Sequence, residues 1–556
     1  MRRSSPRSVA AATALAIAAT MLAACSDDSS GEPGPSGAQT GRSLPSQAAM
    51  ADYGVGTTFK ATEPLQISLM YREHPNYPLK GDWLFVRALQ DNQNVTFDYV
   101  NVPLSDWNTQ KPTIIGSGDV PDLIPVTYTA EQSRYAGGGS ILPISDYVQY
   151  MPNLQDKIAK WDLGPEMANI KLASGQYYVL PGIHEKARSQ YSIAIREEYW
   201  KQAGITSDPT TWDELEADLQ KIKDAKIPGV KYPLSDRWQM KSLLNQAAPG
   251  FNTTSGFDWG FGNGVFWDDK DGAFVYSGAT DEQRQLLTYF AGLVKKGLLD
   301  PESFTQDDDQ AIQKFGNGES ATISTNDQVI DNEYRKTFSD LGNTTAKVRQ
   351  IRVPAGPAGD LYPYGGRLES GLMISAAAAQ KPYFKALLQF VDWLYYSDEG
   401  LEFAKWGVEG TTFTKDAAGK RTLVDGIGYN AIHPEASKKL NVDFGFSNGE
   451  WMLAQGTTWD LDTSFLNDES LTFLKAMSSK KIMPPAPPAP LTPDQSDEAA
   501  QYQTQLYDIV TQNTAAFITG TKDIAKDWDA HVKALKDAGM EAYLTIYNEA
   551  REAAAK

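Results

Sequence analysis

Cysteine is nearly absent. Cys25 is the only one in 556 residues, so no disulfide can form within the chain. Histidine is as scarce: His74, His184, His433 and His531 are scattered, with no H-E-x-x-H spacing and no cluster with acids that would mark a metal site. No P-loop occurs, which removes the commonest nucleotide-binding class. Cations are in deficit. The 51 Lys and Arg face 70 Asp and Glu, for a net charge of −19, so the chain lacks the basic surface that phosphate backbones require and no nucleic acid partner is expected. No short repeat is present, and the one extended apolar run, 9–22, is too short and too rich in alanine to span a membrane. What remains is 41% apolar and 22% charged, the balance of a soluble globular chain of two to four domains rather than a disordered or fibrous one. Its 13 Trp, 26 Tyr and 21 Phe supply flat surface for a large core or a stacking site.

The N-terminus sets the compartment. Arg2, Arg3 and Arg7 precede the apolar run, and small residues precede Cys25, the three-part layout of an export signal over 1–25. Leu22-Ala23-Ala24-Cys25 resembles the lipobox of bacterial lipoproteins, in which the thiol receives a diacylglycerol and Cys becomes the first mature residue. The alternative is an ordinary cleavage site with a chance Cys. A lone thiol in an exported chain, followed by a Ser/Gly/Pro spacer, favours an anchor on a flexible tether over 26–61. Loss of three Arg leaves the mature chain near −22, which disfavours adhesion to anionic lipid.

Alternating apolar residues predict strands over 64–71, 95–100 and 122–126, with a helix over 81–90 between the first two. Helices are predicted over 211–223, 281–296, 382–396, 494–519 and 522–550, and hairpins over 265–276 and 413–424. Strand and helix alternate, so the fold class is α/β. The run Pro484-Pro-Ala-Pro-Pro-Ala-Pro490 reads as an extended connector that spaces two helices or serves as a partner motif.

Several segments resemble, in order, the sugar and oligosaccharide-binding branch of the extracellular solute-binding lipoproteins of bacterial ABC importers. They are Asp119-Val-Pro-Asp-Leu-Ile124 with Gly139-Ser-Ile-Leu-Pro-Ile-Ser-Asp-Tyr147, Gly175-Gln-Tyr-Tyr-Val-Leu-Pro-Gly182 with Tyr191-Ser-Ile-Ala-Ile-Arg-Glu-Glu-Tyr-Trp200, and Thr211-Trp-Asp-Glu-Leu215, where Thr211 and Glu214 have capping-box spacing. Further on come Phe315-Gly-Asn-Gly-Glu-Ser-Ala-Thr-Ile323, Tyr396-Ser-Asp-Glu-Gly-Leu-Glu-Phe403 with Trp406-Gly-Val-Glu-Gly410, and Phe517-Ile-Thr-Gly520 with Trp528-Asp-Ala-His-Val-Lys-Ala-Leu-Lys536. The resemblance implies a periplasmic-binding-protein-like fold of two lobes, with crossover hinge strands and a ligand cleft between them. It places lobe one at 62–190 plus 350–410 and lobe two at 191–349 plus 411–556. It implies a non-enzymatic, monomeric carbohydrate receptor, tethered by lipid to the outer face of the membrane and delivering its ligand to an ABC permease. Some relatives carry a calcium loop that 223–232 here cannot form, because it lacks alternating Asp/Asn ligands and a terminal acid. Asp268-Asp-Lys-Asp-Gly272 reads as a hairpin turn, and Asp307-Asp-Asp309 as a solvated run. No cofactor or metal is expected.

In an open α/β sheet, ligands gather beyond the carboxyl ends of the strands. That rule nominates Tyr71, Glu73, Thr127 and Tyr128 in lobe one, and Asp236, Trp238 and Asn326 in lobe two. Trp451 and Trp459 join them as sugar-stacking faces, and each of these three Trp is alternatively a core residue. Tyr364, Arg367 and Glu409 sit on glycine-bounded loops near the expected hinge, with Arg367 serving either an acidic sugar or a structural ion pair. Two other classes stay open: an exported glycoside hydrolase, which needs two carboxylates about 5–5.5 Å or about 6.5–9.5 Å apart, and a peptide receptor of the same fold.

Overall fold

Period-two alternation in a strand demands cover on both faces wherever both residue sets are apolar. The computed structural model describes residues 43–343, 345–362, 366–430, 432–451 and 457–556. Strands β1 (Leu65–Glu73), β2 (Val95–Pro103), β3 (Leu123–Thr127) and β4 (Leu180–Ile183) belong to a first sheet. Strands β5 (Tyr191–Arg196) and β6 (Leu234–Ser235) open a second, and the hairpin of β7 (Val265–Asp268) and β8 (Ala273–Tyr276) follows. Strands β9 (Thr322–Asn326) and β10 (Val348–Ile351) complete the second sheet, and after the short β11 (Leu361–Tyr362) the chain returns to the first through β12 (Leu368–Ile374).

The first sheet runs β2-β1-β3-β12-β4, with β1 parallel to β2 and β3, and β12 antiparallel to both its neighbours. The second runs β10-β5-β9-β6, with β5 antiparallel to both neighbours. Leu65, Ile67, Leu69 and Tyr71 of β1 enter one core while Met70 enters another on the opposite face. In β5, Ile193 and Ile195 likewise separate from Ala194. Each sheet is thus the middle layer of its own lobe, and the chain crosses from β4 to β5, back from β10 to β12, and a third time around 457–466.

The lobe boundaries differ from expectation. Ile351, Val353 and Tyr362 pack with the second core, so lobe one resumes near β12 rather than at 350. Phe413, Leu423, Ile427, Leu440, Phe446 and Trp451 fill the first core, so 411–451 belongs to lobe one. The expected tether is also too long. Ala48, Phe59 and Ala61 are buried, and Gln47 N–H bonds Pro382 O at 2.9 Å, so the stretch from Leu44 is part of lobe one. Cys25 and the rest of the predicted signal lie outside the described residues. Among the described residues no helix is long and apolar enough to cross a membrane.

Thr211 caps the helix Trp212–Asp224 through Glu214 N–H, but the Glu214 carboxylate reaches past the capping-box position to the N–H and hydroxyl of Thr210. The expected 522–550 helix is two, Ile524–Asp537 and Met540–Ala554. Gly539 between them has φ 91°, and a Cβ there would sit 2.5 Å from the Tyr502 ring. Asp268 to Gly272 does close the β7–β8 turn, through Gly272 N–H to Asp268 O. The Asp307 run, expected to be merely solvated, starts a helix: Asp307 accepts Gln310 N–H, and Asp308 pairs with Arg237 at 2.7 Å.

Candidate functional site

A cavity of about 1110 Å³ opens where the two lobes meet. Its floor is on lobe two: Tyr191 at the start of β5, Asn245 and Gln246 of the helix Lys241–Ala247, and Asn252 to Thr254 of the following loop. One wall is the β7–β8 hairpin, with Phe266, Trp267, Asp268 and Phe274. The opposite wall is Met483 to Pro490. Asn169 and Glu369 come from lobe one, and Arg188 from the crossing segment between β4 and β5.

The proline run is therefore a wall of the cleft and not only a spacer. Proline donates no N–H and holds an extended backbone. The run is pinned at its start, where Lys481–Ile482 pairs with β11 and Met483 N–H bonds Tyr362 O at 3.1 Å, and again midway, where Asn169 Nδ2 donates to Ala486 O at 3.3 Å.

Aromatic rings back the floor. Tyr191 stands edge-on to Trp238 and Trp259, with centroids 5.5 Å away in both cases, and Arg237 stacks on Trp238 at 4.8 Å. Trp238 thus supports the ring that faces the cleft. On the hairpin, Trp267 donates Nε1–H to Asp269 at 2.8 Å and carries Arg551 over its ring at 5.0 Å.

Gln246 lines the cleft and is 3% exposed, and its buried Oε1 has no hydrogen-bond donor among the described residues. Among the described residues nothing bonds or pairs with the Glu369 carboxyl either, and that carboxyl is pushed above the usual carboxylate range by burial and by nearby Asp462. Arg188, by contrast, is clamped between Asp327 of lobe two and Asp462 (3.4 Å to the latter). Lys405 donates to Asp462 O, and burial pulls its ammonium down to about 8; burial also lowers His184. This knot ties the crossing segments together, and a smaller 170 Å³ cavity lies beyond it.

The residues nominated from the sequence scatter. Tyr71 is fully buried and accepts from Asn448 at 3.0 Å; Thr127 is fully buried. Glu73 accepts Leu79 N–H, and Tyr128 is 53% exposed outside the cleft lining. Asp236 is fully buried and accepts the N–H groups of Trp238, Met240 and Leu243, which makes it a turn and helix-start acceptor; burial raises it to about 6 against those bonds. Asn326 pairs with Tyr191 across β9 and β5 and caps the turn after β9. Trp451 is 1% exposed in the first core, a packing residue. Trp459 and Arg367 line a separate cavity of about 670 Å³ that shares Tyr362 with the cleft. Arg367 is held by Glu166 and by the carbonyls of Trp161 and Asp162, the structural pair. Glu409 is exposed beside Lys415 at 3.7 Å, so neither it nor Glu73 faces the cleft as a hydrolase pair would require. Tyr364 lies outside the described residues. Among the described residues no group of three or more His, Cys, Asp or Glu could hold a metal.

Missed from the sequence were Tyr191, Gln246, Trp267 and Glu369. Trp267 sat in a recognised hairpin and Tyr191 began a recognised crossing segment, but only the meeting of the lobes gives either a cleft to face.

At the carboxyl end of β1, Arg72 Nε pairs with Glu450 at 3.2 Å. Glu450 is fully buried, and desolvation raises it to about 7 despite Arg72. A raised native pKa contributes stability that is present at low pH and lost as pH rises through that value. Denaturant midpoints of wild type and Glu450→Gln are therefore expected to shift relative to each other between about pH 5 and about pH 8, with wild type losing ground as pH rises. Parallel pH profiles would refute this.

A two-lobed α/β architecture with three crossings around a polar and aromatic cleft defines a ligand-binding protein. The chain belongs to the bacterial extracellular solute-binding protein family, whose pattern it matches over residues 84–401. It is 26% identical over 288 residues to the fructooligosaccharide ABC transporter substrate-binding protein FusA of Streptococcus pneumoniae, a match spanning 48% of this chain and about half, 52%, of that relative. The FusA structure with kestose superposes with a TM-score of 0.61 at 18% identity, covering 88% of this chain and 99% of that one. An extracellular solute-binding protein from Bifidobacterium longum subsp. infantis gives 0.67 at 17% identity, covering 90% and 100%. The alginate-binding protein AlgQ2 gives 0.65 at 20%, covering 89% and 99%. At such identities these superpositions speak to the fold.

Proposed function

We propose that this protein captures an oligosaccharide outside the cell and hands it to an ABC permease by closing its lobes, without chemical turnover. The observation that carries the reading is the cleft itself. Amides and hydroxyls (Asn245, Gln246, Asn252, Thr253, Thr254) alternate with flat rings (Tyr191, Trp267), which suits a sugar's polar edge and C–H face. The family membership and the sugar-binding relatives support it. The Arg188 knot and the three crossings supply the hinge.

Purified protein titrated with an oligosaccharide panel should show a thermal shift, because a ligand specific for the native state at about a hundred times Kd adds roughly 2.7 kcal/mol. Trp267→Ala should weaken that binding by roughly 1–3 kcal/mol and scarcely move the melting of the empty protein. Shortened sugars after incubation would favour a hydrolase, and a shift with peptides alone would favour a peptide receptor.

Anchoring through Cys25 belongs to the same reading and rests on the lipobox and the lone thiol. Cys25→Ala should leave the protein unprocessed or released into the medium. Processing with unchanged membrane fractionation would refute the anchor.

A further inference from the structure

We infer that the cleft selects uncharged saccharides and rejects acidic ones, with Glu369 as the residue that enforces the choice. This rests on the carbohydrate reading and deepens it. The argument comes from what the cleft leaves unpaired. Gln246 and Glu369 line it, and among the described residues neither the buried Gln246 Oε1 nor the Glu369 carboxyl has a partner, so both are acceptors that call for donors.

Among the described lining residues there are two cations. Arg188 has its charge engaged by Asp327 and Asp462, both nearly buried, so although its Nε lacks a partner, an incoming carboxylate would have to displace one of them. Lys270 is at the exposed turn of the hairpin, flanked by Asp269 and Asp271 in sequence; its backbone N–H bonds Asp268, and its ammonium, with no partner among the described residues, sits at the solvent-screened rim. A uronate carboxylate entering this cleft would lose water, find its one buried cation already paired, and face Glu369 with Asp462 behind it. A neutral ring keeps every hydroxyl bonded to an amide, a hydroxyl or Glu369. The net charge of −19 adds a long-range repulsion of the same sign.

The test is calorimetric titration of the whole mature protein with matched tetrasaccharides: maltotetraose, cellotetraose and nystose as neutral probes, and for any that bind, the same chain with its hydroxymethyl groups oxidised to carboxylates, with tetragalacturonate as an independent acidic probe. The acidic form is expected to bind at least about a hundredfold more weakly than its neutral parent, the cost of leaving one charge desolvated and unpaired. Glu369→Gln, which keeps size but removes the charge, should narrow the ratio of neutral to acidic affinity by about tenfold or more, whatever it does to neutral binding itself. Equal affinity for the matched pair, or binding of tetragalacturonate alone, overturns the inference and leaves the carbohydrate reading intact. An unchanged preference in Glu369→Gln overturns the role of Glu369. Absence of binding by every saccharide overturns the carbohydrate reading and this inference with it.

Discussion

Trp451→Ala is expected to lower the stability of the empty protein by about 3–5 kcal/mol, the cost of emptying a large aromatic site in a core that cannot collapse around it. The ring is 1% exposed and stacks on Phe85 at 4.6 Å, with Phe97 at 5.1 Å and Tyr71 at 6.0 Å. These partners come from the first helix after β1, from β2 and from β1 itself, so the indole joins elements that are distant in sequence. Among the described residues its Nε1–H has no acceptor. Trp451→Phe therefore removes an unsatisfied donor along with some volume and should cost well under half as much. Guanidinium unfolding of both variants, alongside Trp267→Ala as a half-buried control, checks the set. A Trp451→Ala protein of unchanged stability and reduced sugar affinity would mean that this ring serves the ligand after all.

Gly371→Ala should be comparably severe, costing about 3 kcal/mol or more, because the obstruction is backbone and cannot rotate away. Gly371 lies in β12 opposite Thr127 of β3, and a Cβ there would fall 1.7 Å from Leu180 O and 2.7 Å from Pro181 Cα of β4. To accept the methyl group, β12 must part from β4. Glu369, two residues away and paired with Gly182, would move with it. Loss of stability should therefore be accompanied by weakened ligand binding in whatever folded protein remains, read by denaturant midpoint and titration together. Wild-type stability in Gly371→Ala would show that β12 and β4 are not packed this closely.

The strands over 64–71 and 95–100 and the helix over 211–223 were legible because local pattern is enough: alternation at period two for β1 and β2, and the Thr211 cap for the helix. The break at Gly539 was not. An apolar period continues on both sides of it, and the glycine is needed only because the Tyr502 ring arrives from another helix.

The cleft residues divide along the same line. The rule of strand carboxyl ends led to Asn326 and Trp238, which neighbour the cleft residue Tyr191 without lining the cleft themselves. It erred at Tyr71, Thr127 and Asp236, because the same strand ends are also where backbone N–H groups and cores must be satisfied, and burial there cannot be read from one strand alone. By itself the sequence determined the α/β class, the family resemblance and the alternating faces of each sheet, all of which depend on residues near one another along the chain. Only the tertiary structure decided that 411–451 packs in lobe one, that Trp451 is core, and that the proline run, Trp267 and Glu369 share one cleft. Those outcomes depend on which distant surfaces exclude water from each other, and that is a property of the assembled lobes.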